Sequence, residues 1–391
     1  VSEQAQGKRV AWVELYLDLI YALAIGQLAH LIIGEPEMDT VWAALGLFAV
    51  LWWTWIGFAV QYNRQGDDHV PERLLFLAGS IPTGVAAVAI EPAADGDVAA
   101  FAIAMAVVRL LLAASRALEG GWRPALRMGV TRAYGLSALL FIVSIPIEGP
   151  VRYGLWAIGV IVESRALLTE SRAAVRTLRK GGDLSVVARE DAGNALDPHH
   201  FAERFGLLLI ILIGEVVIAA GETTAEAHIG TAGGWIALVA AMTLAATLWW
   251  LYFDAAVEIN LRVLELSGGS TTVARTLFAV GHMAPAFALL LIASGVGLLL
   301  DGHDPGLGYW LCSCGLGIYL IGTRVFFSVS TRLGHFVRLA VVIATFELGW
   351  LEDVVSPHAF LIIVAAWALG CAATTSWRRP EPSDGQLSRY V

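Results

Sequence analysis

Two carboxylates four residues apart in an otherwise apolar run are the first sign of chemistry in this sequence. In VAWVELYLDLIYALAIGQLAH, Glu14 and Asp18 fall at i and i+4, so both lie on one face of a helix, with Tyr21 and Ile25 continuing it. At helical rise Asp18 sits about 6 Å deeper than Glu14. A charge inside a bilayer is costly unless it is paired, hydrated or protonated, so its presence needs a reason. One reason is structural: an ion pair with an arginine at the membrane edge, Arg73 first and Arg64 next. The other is functional: a cation or proton site at the mouth of a cavity. Gln27 and His30 turn to the other side near the far end and read as interfacial packing.

A second chemical run is DPHHFAERFGLLLIILIGEVVIAAGE. Asp197 followed by Pro198 is an N-cap and first-turn proline for a helix. His199, His200 and Glu203 crowd its first turn at spacings able to hold a metal. No second ligand cluster stands out, so no metal is expected. Glu203 is expected to play the part of Glu14. Glu215 falls near the bilayer centre, and Arg204 lies on nearly the same face but about 16 Å away along the helix. The partners expected for Glu215 are therefore Arg109, midway through another apolar run, and His282. A buried Glu of this kind is a proton carrier, a cation ligand or a catalytic acid, or else a protonated side chain hydrogen-bonded in a helix interface. The expected ion, proton or substrate site thus comprises Glu14, Asp18, Arg109, Glu203, Arg204, Glu215 and His282. Asp67-Asp68-His69 is a weak metal motif in a short loop. There is no Gly-rich phosphate loop, no Ser/His/Asp elbow and no CxxC, and no cofactor is expected. Cys312, Cys314 and Cys371 lie in apolar runs and read as packing residues.

The elements that must position these groups are membrane helices. The 391 residues are 57% hydrophobic and only 15% charged, with mean hydropathy +0.69, where soluble domains carry about a quarter charged residues. Apolar runs near 14–33, 40–61, 73–91, 98–118, 131–147, 150–168, 202–221, 233–255, 275–300, 308–328, 337–352 and 358–377 give about twelve spans. No cleavable signal peptide is expected, since the first run carries Glu14 and Asp18. Arginines gather in alternate connections, among them Arg116, Arg123, Arg127, Arg132, Arg172, Arg176, Arg179 and Arg189. The opposite connections, GEPEMDT, EPAADGD, GETTAEAHIG and DGHDPG, are acidic. By the positive-inside bias both termini are expected to be cytoplasmic in a bacterial inner membrane. The net charge of −9 reflects that acidic face and suggests nothing about nucleic acid; the partners expected are the lipid bilayer and a small ion or solute, or a lipid-like substrate, and no nucleic acid.

Those spans also repeat. LWWTWIGFAVQYN at 51–63 aligns with LWWLYFDAAVEIN at 248–260: Trp52 and Trp53 with Trp249 and Trp250, Trp55 with Tyr252, Asn63 with Asn260. RLLFLAGSIP from Arg73 echoes RTLFAVGHMAP from Arg275. The expected architecture is all-α, with two parallel six-helix repeats at 1–168 and 198–378, a basic cytoplasmic linker at 169–197 and a tail at 379–391. In such folds substrates pass between the repeats. The paired tryptophans read as packing or interfacial aromatics.

The runs RVAWVELYLDLIYALAIGQLAH, WWTWIGFAVQYNRQGDDHVPER, HHFAERFGLLLIILIGEVVIAAGE and WWLYFD together resemble the bacterial low temperature requirement A family over nearly the full chain. The family's first span carries an ELFFDL-like run, here ELYLDL, which keeps Glu14 and Asp18. The resemblance implies an integral membrane protein and leaves the chemistry to the residues. A fainter similarity, in the order of Asp18, Trp55, Asn63, Arg64, Ile81 and Pro82, is to six-helix potassium channel units, but Leu17 stands where their motif has serine. The leading expectation is proton-coupled transport of an ion or small solute through Glu14, Asp18, Glu203 and Glu215. The alternative is an intramembrane enzyme using Glu215 or Asp18 as an acid on a lipid or isoprenoid substrate, and a third reading is a membrane adaptor. Cavity shape separates the first two. A water-accessible route to both faces favours transport; an apolar pocket open sideways with a carboxylate at its end favours an enzyme.

Overall fold

The computed structural model describes residues 10–65, 70–120, 129–169, 196–226, 232–301, 305–323 and 332–377, with the single positions 176 and 186. Most of the linker, the Asp67-Asp68-His69 motif and the tail lie outside the described residues. All the regular structure described is helical. The long helices are α1 (Trp12–Gly34), α2 (Met38–Gln65), α3 (Val70–Val88), α4 (Ala99–Gly120), α5 (Gly129–Ser144) and α6 (Pro150–Leu168). They are followed by α7 (Pro198–Glu226), α8 (Ala232–Leu251), α9 (Met283–Asp301), α10 (Pro305–Gly322), α11 (Arg332–Glu347) and α12 (Pro357–Trp377). Helix is what these sequences must form in lipid, because each backbone N–H and C=O needs a partner within its own segment.

Seven helical stretches, among the described residues, are long and apolar enough to cross a membrane: within α1, α2, α4, α7, α8 and α12, and over Thr271–Asp301. Arg73–Val88 and Gly129–Ser144 are apolar but shorter. The chain is therefore an all-α, multi-span membrane protein. α6 carries Arg152, Glu163 and Arg165, and two of these are buried against neighbouring helices.

α1 lies at the centre. It packs on α2 and α3 from its own half and on α7 and α9 from the other. Among the described residues, Leu348–Asp353 is a 3-10 turn, and two further segments depart from regular helix. Tyr252–Ala256, continuing α8 into a helix at Val257–Leu266, and Arg275–Val280, leading towards α9, are π-helical turns. Such turns free carbonyls that must then find a donor. Trp52 supplies one across the halves, its indole N–H donating to the Ala279 carbonyl at 2.8 Å. Trp249, the tryptophan aligned with Trp52 in the sequence, is 44% exposed where Trp52 is 4% exposed, so one aromatic packs and the other faces outward.

Gly269 fixes the approach to α7. Its φ of +71° is in the left-handed region, and a Cβ there would collide with the Leu196 carbonyl oxygen. The close contact lets the Leu196 N–H donate to the Gly269 carbonyl at 2.8 Å, which anchors the chain just before the N-cap of α7. At the far side, α9 and α10 approach to backbone contact at Gly295, where a Cβ would meet Cys312 and the Gly308 carbonyl within 2.9 Å.

Candidate functional site

α7 begins as its Asp-Pro pair dictates: Asp197 Oδ1 accepts the His200 backbone N–H at 3.1 Å, and Pro198 has no N–H to leave unpaired. His200 and Arg204 then project from one face of α7, four residues apart. Glu14 and Asp18 project from one face of α1 at the same spacing. The two ladders meet in step. Arg204 Nη1 donates to Glu14 Oε1, and Nη2 donates to Asp18 Oδ1 at 3.0 Å. His200 Nε2 lies 2.9 Å from Glu14 Oε2, and that oxygen also accepts the Ala11 N–H at 3.0 Å. Glu14, Asp18, His200 and Arg204 are all 0% exposed. This is a buried ionic network inside membrane-spanning helices.

α2 completes it. Trp55 Nε1 donates to Asp18 Oδ1 at 2.7 Å, and the indole faces the Arg204 guanidinium at 5.4 Å. Asn63 Oδ1 accepts the Asp197 backbone N–H at 3.0 Å, and a backbone N–H can only donate, so the orientation of the Asn63 amide is fixed. Its Nδ2 therefore donates to His200 Nδ1 at 2.8 Å. Nδ1 is thus an acceptor, and His200 is the neutral tautomer with its proton on Nε2, aimed at Glu14. Two carboxylates then face one guanidinium, leaving one negative charge uncompensated within these four side chains. Asp18 Oδ2 and Arg204 Nε have no hydrogen-bond partner among the described residues. Glu14, by contrast, accepts from three donors.

Beyond Trp55 an aromatic seam crosses between the halves: Trp55 to Phe205 at 4.9 Å, Phe205 to Phe278 at 5.1 Å, and Phe278 stacked on His282 at 5.0 Å. His282 ends it, hydrogen-bonded to the Tyr252 hydroxyl at 2.9 Å.

Several sequence-based expectations change here. The arginine beside Glu14 and Asp18 is Arg204, not Arg73, which is exposed; α7 packs directly along α1 and brings its own cation to the matching face. Glu203 does not replace Glu14. It points outward from α7, because its neighbours His200 and Arg204 occupy the inward stripe. The possible metal ligands diverge too: His199 faces Glu265 at 3.3 Å, His200 faces Glu14, and Glu203 is exposed. Neither Arg109 nor His282 meets Glu215. Arg109 is taken by Glu163 of α6, in a two-pronged pair with Nε to Oε2 at 2.9 Å and Nη2 to Oε1 at 2.8 Å. Ser137 of α5 accepts from the same Nε at 2.8 Å, and the guanidinium lies 4.3 Å from the Phe141 ring. Glu163 was missed by sequence reasoning, although an arginine in the middle of a span demands an acid from another span. Trp55 and Asn63 carried a signal in the repeat but not their role.

Glu215 instead lines a cavity of about 160 Å³ at the far ends of α1 and α7, with Gly26, Ala29, His30, Ile33, Ile218, Ala219, Glu222 and Asp301. His30, expected to be interfacial packing, lies 3.6 Å from Glu222. A larger apolar pocket of about 530 Å³ between α2, α9 and α10 is lined by Trp42, Met283, Phe287, Trp310 and their neighbours and contains no carboxylate. No cluster of three or more metal-ligating side chains occurs among the described residues.

No solved structure matches the chain. It is similar to the uncharacterized protein RA0937 of Rhizobium meliloti (strain 1021), 26% identical over 360 residues, which cover 88% of this chain and 84% of that one. Residues 9–373 match the family described as Bacterial low temperature requirement A protein. With that match spanning nearly every helix, from the carboxylate ladder of α1 to α12, the chain belongs to the bacterial low temperature requirement A family.

Proposed function

We propose that the chain is a transport protein that moves an ion or small solute across the bilayer, coupled to a proton held in the Glu14–Asp18–His200–Arg204 network. One observation carries this reading: the network has one carboxylate more than its guanidinium balances, and Asp18 Oδ2 is left without a partner. In a low-dielectric interior such an imbalance is resolved by a proton or a cation arriving at that oxygen. A purely structural pair gains nothing from an open valence.

The architecture that supports transport is two parallel six-helix repeats, 1–168 and 198–378, giving twelve spans around a seam between α1 and α7. Helix contacts recur six helices apart. α1 on α2 and α3 is matched by α7 on α8 and α9; α3 on α4 by α9 on α10; α2 on α6 by α8 on α12. The arginine-rich connections support a cytoplasmic side for both termini and the 169–197 linker. The apolar pocket between α2, α9 and α10 holds no carboxylate, and the open one lined by Glu347 holds neither Glu215 nor Asp18, the acids on which the enzyme reading relied.

The test is flux from liposomes holding the purified full chain, read with a panel of ion and pH dyes. Wild-type protein is expected to give flux that depends on pH, and Asp18→Asn to abolish that dependence. Absence of flux for every ion tried, or an Asp18→Asn variant with an unaltered pH profile, sinks the reading.

A further inference from the structure

We infer that the cavity at the far ends of α1 and α7 binds a small organic ammonium ion. The later parts of three helices enclose it: Gly26 to Ile33 belong to the last turns of α1, Glu215 to Glu222 to the second half of α7, and Asp301 is the final residue of α9. Helix C-termini present partial negative charge and are ordinarily offset by a basic residue. None of these three has a basic residue in its last turn. Glu215, Glu222 and Asp301 line the cavity as carboxylates, and the exposed His30 stands 3.6 Å from Glu222.

Glu215 supplies the independent sign of a ligand. It is 8% exposed, lines the cavity, and has no hydrogen bond or ion pair among the described residues. It lies so close to α1 that a Cβ on Gly26 would stand 3.1 Å from its Oε2. A buried carboxylate aimed at an empty space bounded by other acids is arranged to receive a positive charge. The remaining wall decides which kind. Ala29, Ile33, Ile218 and Ala219 are apolar, a poor replacement for the hydration shell of an alkali ion but suited to a short hydrocarbon chain. The carboxylates also do not gather into a metal-ligating group. A volume of about 160 Å³ admits a primary amine of a few carbons.

Equilibrium binding tests this separately from flux, so a failure of the transport reading does not touch it, and the reverse holds. The full chain in lipid nanodiscs is titrated calorimetrically with n-propylammonium, with potassium and with uncharged propanol. Saturable n-propylammonium binding is expected, roughly tenfold or more tighter than potassium, with none for propanol. Glu215→Gln is expected to weaken it roughly tenfold, and Glu222→Gln, on an exposed side chain that tolerates change, roughly threefold. Absence of saturable n-propylammonium binding, potassium binding as tightly, or unchanged affinity in either variant overturns the inference.

Discussion

Two buried arginines sit in the same membrane domain and are held in opposite ways. Arg109 has one acid. Its Nε and Nη2 grip both oxygens of Glu163, Nη1 donates to the Met105 carbonyl at 3.2 Å, Ser137 shares the Nε, and Phe141 covers the face. Arg204 is stretched between two acids on α1, one prong each, with its Nε unused and an Asp18 oxygen left over. Both guanidinium groups are 0% exposed. The first arrangement is closed, because adding or removing a proton breaks a filled set of bonds. The second can change its charge without losing a bond it already has. Burial alone therefore does not mark a working site; the proposed function rests on the unfilled valence beside an unbalanced charge.

The comparison is broken most severely at the closed pair. Glu163→Gln leaves Arg109 buried without its counter-charge and is expected to cost about 3–5 kcal/mol, read as a lowered unfolding midpoint in detergent. The double change Arg109→Met with Glu163→Leu should recover most of that loss. Recovery absent from the double variant means the pair does more than hold three helices together.

At the open network the expected balance is reversed. Asp18→Asn keeps the oxygen that accepts from Trp55 and Arg204 and should cost only about 1–2 kcal/mol, while the pH dependence of flux disappears. A stability loss as large as that of Glu163→Gln erases the distinction drawn between the two arginines. Asn63→Leu removes the donor facing His200 Nδ1, at about 1 kcal/mol. With ¹⁵N-labelled histidine, the imidazole of the wild type should show the Nε2–H tautomer alone, and the variant a mixture. The smallest effect belongs to Glu203, exposed one residue from Arg204: Glu203→Gln should change stability by no more than about 0.5 kcal/mol and leave flux unaltered.

How much of this was legible beforehand follows from which interactions are local. Apolar runs predicted the helices because lipid leaves the backbone no alternative, and Asp197-Pro198 predicted the start of α7 because capping is decided within four residues. The shared face of Glu14 and Asp18 followed from helical geometry. Their partner did not, since Arg204 lies 190 residues from Glu14 and the choice between it and Arg73 depends on which helix packs against α1. Glu203 was misassigned for a related reason: it stands near the start of its span as Glu14 does, but the inward stripe of α7 is defined by His200 and Arg204. The cavity around Glu215 forms only where the later parts of three helices converge, a property no single segment carries.

The fixed amide of Asn63 also has a bearing on where a proton can leave. Along the side-chain path the bonds run one way, from Asp197 N–H to Asn63 Oδ1, from Asn63 Nδ2 to His200 Nδ1 and from His200 Nε2 to Glu14, while Nδ2 also donates back to the Asp197 carbonyl at 3.3 Å. A chain of this kind conducts a proton backward only if each member turns around, and its first member is a main-chain amide with nothing to exchange. Asn63 therefore acts as an insulator. On the proposed transport reading, the charge between α1 and α7 is thereby sealed off from the end at which α7 begins, and Asp18 Oδ2, buried and without a hydrogen-bond partner among the described residues, is the oxygen left for exchange.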